Sequence, residues 1–104
     1  MKWISIVMLA SAAAFTGGQE GPKHNYVPKD GYVPTSEVAI KIAVAVWEPI
    51  YGADNIAAEK PYRAALAGGV WTVEGSLPEG MKGGVAEAEI ARADGRIMRI
   101  SHGK

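Results

Sequence analysis

Between Ser36 and Gly52 the chain reads SEVAIKIAVAVWEPIYG. β-branched residues are frequent in it, so a buried strand competes with a helix. Length and the start signal favour the helix. Thr35 or Ser36 can act as N-cap, because a hydroxyl accepts from an otherwise unpaired first-turn N–H. Glu37 favours the positive helix end, and Glu37 and Lys41 stand i,i+4 in the favourable order. Val38, Ile42, Ala45 and Val46 make one apolar stripe; Ile40, Val44, Trp47 and Tyr51 make a second. A helix this apolar is expected to be covered on most sides. Pro49 should kink or end it near Trp47-Glu48, with Gly52 as the latest stop.

On the C-terminal side, Ala53 to Lys60 reads as a connection. YRAALAGGVWTVEG follows, two short apolar runs flanking Gly68-Gly69. That is a hairpin signal, with strands expected at Tyr62–Leu66 and Val70–Glu74. SLPEGMKGG is a flexible loop. Strands at Val85–Ala91 and Arg96–Ser101 complete the chain. One long helix followed by four antiparallel strands in sequence gives an α+β class. The helix lies across one face of a four-stranded antiparallel meander.

The last hairpin has two available registers. A two-residue turn at Asp94-Gly95 would set Glu89 against Ile100 and Ile90 against Arg99. A type I turn with Gly95 in the left-handed position pairs Arg92 with Arg96, Ile90 with Met98, Glu89 with Arg99 and Ala88 with Ile100. The second sorts apolar from charged, and register follows that sorting. Glu87, Glu89, Arg96 and Arg99 then become candidates for a partner-binding face, against the plainer reading of a solvated sheet face.

On the N-terminal side, Gln19 to Pro34 is an extended leader carrying Tyr-Val-Pro twice, at Tyr26-Val27-Pro28 and Tyr32-Val33-Pro34. Proline holds its predecessor extended. The repeat reads as a linker whose Tyr and Val lie along the surface, or as a ligand motif for a partner. Residues 1–18 have the order of a secretory signal: basic Met1-Lys2, an apolar run from Trp3 to Phe15, then small residues. A buried helix or an uncleaved anchor would be the alternatives. Cleavage is expected after Ala14 or Gly18, which divides the chain into signal 1–18, leader 19–34 and domain 35–104. The protein is thus expected to be exported, to the periplasm, with no stable membrane anchor after cleavage.

The composition narrows the functions. The chain has 104 residues, with 11 Lys+Arg against 11 Asp+Glu, so bulk charge steers it to neither nucleic acid nor anionic lipid. It has no cysteine, which excludes disulfides and a lipid-modified cysteine. The two histidines, His24 and His102, stand apart near the ends, and no metal-ligand spacing exists. Lys82 among glycines lacks the sequel of a phosphate loop. Glu87 and Glu89 share a strand face, but acid–base work needs a cleft and perturbed pKa values. No nucleophile–base pair can be assembled. Neither a cofactor nor an enzymatic activity is expected.

Three stretches carry a resemblance: VAIKIAVAVWEPIYGADNI, KPYRAALAGGVWTVEGSLPEGMKGGVAEAEI and DGRIMRISHGK. Within them, Trp47 with Ile50-Tyr51-Gly52, Lys60-Pro61-Tyr62, Val70-Trp71-Thr72-Val73-Glu74-Gly75, Gly83-Gly84-Val85 and Asp94-Gly95-Arg96-Ile97 with His102-Gly103-Lys104 stand out. From about Val38 to Lys104 the chain resembles small exported immunity proteins with a nuclear transport factor 2-like fold, also called the YbbC/YhhH family. The resemblance implies a reduced nuclear transport factor 2-like (cystatin-like) cone. It also implies that the protein binds and neutralises a cognate bacterial toxin without catalysis. It supplies no catalytic residues. The alternative is an exported small-molecule or peptide-binding module, with a pocket lined by Trp71, Tyr62 and Met98. The exposed last strand leaves monomer and dimer both open.

Overall fold

A computed structural model describes residues 23–103. The signal-like segment 1–18 and the first residues of the leader lie outside them. In chain order the elements are α1 (Ser36–Tyr51), α2 (Ala53–Ala57), β1 (Arg63–Ala67), β2 (Val70–Glu74), β3 (Ala86–Ala91) and β4 (Ile97–His102). The strands form one antiparallel sheet in the order β1-β2-β3-β4. The helix-on-meander architecture is the expected one. Strand boundaries differ from the sequence reading by a residue or so, and the segment read as a connection holds the short α2.

Thr35 is the N-cap of α1: its backbone is extended, and its Oγ1 accepts from the Val38 N–H at 3.3 Å. The helix passes through Pro49 and stops at Gly52, whose N–H donates to the Glu48 carbonyl at 2.8 Å. Pro49 removes the bond to the Ala45 carbonyl. Ala45 is exposed, so water can serve that carbonyl and the helix continues.

The packing corrects the expectation that α1 is covered on most sides. Its fully buried line is Ala39, Ala43 and Trp47, which runs between the two apolar stripes. Val38, Ile40, Ile42, Val44 and Tyr51 are shoulders, partly buried against the core. Ala45 and Ile50 face solvent. One sheet can cover only one side of a helix. Small residues take the closest approach: Ala39 and Ala43 on α1, Ala86 and Ala88 on β3. Trp47 and Trp71 fill the wider ends, joined by Ile56, Val73 and Ile90.

The β1–β2 connection is a two-residue turn in which Gly68 and Gly69 have φ of 58° and 77°. Two successive positive φ angles make the type I′ turn that matches strand twist, and glycine takes them without strain. Ala67 therefore opposes Val70 and the ladder runs unbroken to Arg63 opposite Glu74.

The last hairpin keeps half of its expected register. Glu89 faces Arg99 and Ala88 faces Ile100, but Ile90 faces Ile97, not Met98. At the tip the Ala91 N–H donates to the Arg96 carbonyl and the Gly95 N–H to the Ala91 carbonyl, both at 2.9 Å. Ala91, not Arg92, thus pairs with Arg96, and a bulge beside Glu89/Ile90 takes up the odd residue. Arg92 is withdrawn from the ladder because its backbone is used elsewhere. Its N–H donates to Gly69 and its carbonyl accepts from Val33, at 2.9 and 3.0 Å.

That last bond belongs to the leader. Tyr32 N–H also donates to the Ala93 carbonyl, and the Val33 carbonyl accepts from Trp71 Nε1 at 2.8 Å. Val33 is in the core at 1% exposure, where a surface linker was expected, whereas Val27 of the first copy is 65% exposed. The difference lies one residue upstream of each tyrosine. A Cβ at Gly31 would run into the Arg92 carbonyl oxygen, and Gly31 has φ of 87°. The first copy has Asn25 at that place, so it cannot occupy the slot.

Candidate interaction face and the Glu59–His102 cleft

Alternation along the strands sends Trp71, Val73, Ala86, Ala88 and Ile90 toward α1, and among the described residues no second layer covers the opposite sheet face. Two cross-strand rows carry the polar residues of that outer face. One runs Arg63, Glu74, Glu87, Ser101; the other runs Ala65, Thr72, Glu89, Arg99. Arg99 sits between the rows. Its Nη2 meets Glu87 at 2.9 Å, its Nε meets Glu89 at 3.0 Å, and its Nη1 donates to Ser101 Oγ at 3.0 Å. Hydrogen bonds first from Glu87 and then from Glu89 push the Arg99 pKa above its ordinary value. Arg63 pairs with Glu74 at 3.1 Å. Two arginines thus face three glutamates, and the face is left slightly acidic.

The structure brings together Glu87, Glu89 and Arg99 of the four residues proposed from sequence. Arg96 is not with them: it pairs with Asp94 at 3.3 Å at the hairpin tip. All these side chains are partly or largely exposed, and exposed pairs contribute about 0–1 kcal/mol each. The face is therefore nearly dispensable for folding.

A second polar cluster was not anticipated. Glu59, just beyond α2, is buried at 8% exposure. Its Oε1 accepts from the Ala86 N–H at 2.8 Å, and its Oε2 lies 2.7 Å from His102 Nε2. Glycine at 75 is what admits it, because a Cβ there would collide with the Glu59 carboxylate. The Glu59 carbonyl also accepts from the Ser76 N–H at 2.7 Å. One residue thus ties the end of α2 to the starts of the β2–β3 loop and β3, and to the end of β4. His102 Nδ1 lies 2.8 Å from the Gly103 carbonyl, and because neither this carbonyl nor the Glu59 carboxylate can donate, both bonds form together only when both ring nitrogens carry protons. Bonding to this carbonyl, then to Glu59, pushes the His102 pKa above its ordinary 6.5, and burial opposes this. The Tyr51 ring stands 5.0 Å from the imidazole.

The cluster borders an open cleft of about 440 Å³, lined also by Asn55, Leu77 and Pro78. Both His102 nitrogens are engaged, and so is each Glu59 oxygen. The pair acts as a latch between α2, β3 and β4. Among the described residues no group of three or more His, Cys, Asp or Glu could hold a metal. One sequence signal pointed here: His102 lies two residues beyond inward-facing Ile100 and so shares its face.

The pocket suggested by Trp71, Tyr62 and Met98 does not form. Trp71 bonds to Val33, and Tyr62 OH donates to the Ile56 carbonyl at 2.8 Å. The Tyr62 ring packs 5.9 Å from Trp47, while Met98 stands 46% exposed at the bulge.

Comparison with known proteins places this geometry. Residues 38–104, from the first turn of α1 through β4, match the family described as NTF2 fold immunity protein. The chain is 36% identical over 73 residues to the "Uncharacterized protein YhhH" of Escherichia coli (strain K12). The match covers 69% of this chain and 58% of that relative, so the chain spans little more than half of the relative's length. No solved structure matches. With the helix and every strand of the sheet inside the matched span, the chain belongs to the NTF2 fold immunity protein family.

Proposed function

We propose that this protein binds and neutralises a cognate bacterial toxin, and that it acts by occlusion, without catalysis. The observation that carries the reading is the family match, which covers the helix and the whole sheet. The outer face supports it physically. Glu87, Glu89 and Arg99 form a hydrogen-bonded, partly exposed charge array on the sheet, and such arrays favour a partner of complementary charge. The occupied nitrogens of His102 support a non-catalytic mode. Export to the periplasm, with 1–18 as the signal, belongs to the same proposal.

The test is co-expression with the product of any neighbouring toxin gene, scored for survival and for co-purification. Survival with a one-to-one complex is the expected outcome. Survival without a complex would overturn direct binding, and death without a complex would overturn the immunity reading.

A further inference from the structure

An open four-stranded sheet has two edges, and here they differ. On β4 the ladder is interrupted by the bulge at Met98, and Arg99 projects beside it. Bulges and charges are devices that discourage strand addition at an edge. β1 carries neither in its middle. It stays in register with β2 over all five residues, its sequence is Arg-Ala-Ala-Leu-Ala, and its one charge stands at the end, paired with Glu74. A recess of about 290 Å³ runs along the same strand, lined by Arg63, Ala64, Ala65, Thr72 and Glu74.

The turn fixes which backbone groups of β1 point outward. In a two-residue hairpin the residues flanking the turn exchange hydrogen bonds, and opposed pairs then alternate. Ala67, Ala65 and Arg63 therefore bond to β2. The N–H and C=O groups of Ala64 and Leu66 face away from the sheet, and Leu66 is 40% exposed.

We infer that β1 pairs antiparallel with β1 of a second copy of this chain, about a two-fold axis at Ala65, to give a continuous eight-stranded sheet. The strand is self-complementary in that register. Ala64 meets Leu66 of the second copy and Leu66 meets its Ala64, so all the outward groups find partners. On the helix side a large residue opposes a small one. On the outer side Ala65 opposes Ala65, and Arg63 opposes Ala67 rather than another arginine, which avoids the like-charge cost of cross-strand pairs. An isologous contact of this kind closes at two copies. The strand is short, so the dimer belongs to the weak end of specific interfaces.

The chain has no cysteine, which makes cross-linking clean. Ala65→Cys would place the two sulfurs across the axis at a non-hydrogen-bonded pair, where Cβ atoms approach to about 4.5–5.5 Å. Met98→Cys on the β4 edge is the control. The expected result is that Ala65→Cys forms disulfide dimers at least about tenfold faster than Met98→Cys. Sedimentation should show concentration-dependent dimers for the unmodified chain, weakened at least about tenfold by Ala65→Lys with an unchanged circular dichroism spectrum. Equal rates, or faster linking through Met98→Cys, would overturn the inference. So would a chain that stays monomeric at several hundred micromolar.

Discussion

Removing the Glu59 carboxylate should damage the fold in a pH-dependent way. In Glu59→Ala the Ala86 N–H loses its acceptor and His102 loses its partner. A buried donor left unpaired costs about 1–3 kcal/mol, and a hydrogen bond to a charged group contributes about 1.5–3 kcal/mol. These overlap in one residue, so a loss of about 2–4 kcal/mol is expected. The sign of the pH effect follows from His102, whose folded pKa is raised above 6.5. A raised pKa contributes stability that is fully present below the unfolded value and is lost as pH rises through the folded value. The wild type should therefore lose stability as pH rises from below 6.5 through the raised folded value, and Glu59→Ala should lose the part of that slope that Glu59 supplies while the part from the Gly103 carbonyl remains. Urea unfolding followed by the fluorescence of buried Trp47 and Trp71, at pH 5.5 and 8.5, measures both. A cost below about 0.5 kcal/mol, or one that grows with pH, would refute the latch.

Three further outcomes follow from the packing. Gly31→Ala should destabilise by more than about 1 kcal/mol, since the new Cβ meets the Arg92 carbonyl and φ is positive; Asn25→Ala should be neutral within about 0.5 kcal/mol in the same melts. Trp71→Phe deletes the donor to the Val33 carbonyl and should cost about 1–3 kcal/mol, with faster amide exchange at Tyr32 and Val33. Arg99→Ala should leave the midpoint of the urea melt nearly unchanged, because its pairs with Glu87 and Glu89 are solvated.

The architecture was legible because two periodicities are written plainly: a capped apolar run with a proline near its end, and alternating runs punctuated by Gly68-Gly69 and Asp94-Gly95. What escaped depends on contacts distant in sequence. Arg92 leaves the hairpin ladder because Val33 and Gly69 claim its backbone, and nothing local in residues 88–100 records that. Val33 is buried and Val27 exposed for a reason that lies at Gly31, where the carbonyl of Arg92 passes. Glu59 looked like a loop carboxylate because its partners stand at Ala86 and His102. The outer face was readable from alternation, and Glu89 opposite Arg99 is where that reading placed it. Arg96 was misgrouped because the shifted tip turns it toward Asp94.

The central claim is that this fold neutralises a toxin through its outer sheet face. The direct measurement is calorimetric titration of the toxin that co-expression identifies, catalytically disabled, into wild type and into the double variant Glu89→Arg/Arg99→Glu. The account requires one-to-one binding by the wild type and a loss of at least about 100-fold in the variant, whose fold is intact. Equal affinities would contradict the assignment of the face, and a wild type without affinity would contradict the immunity function itself.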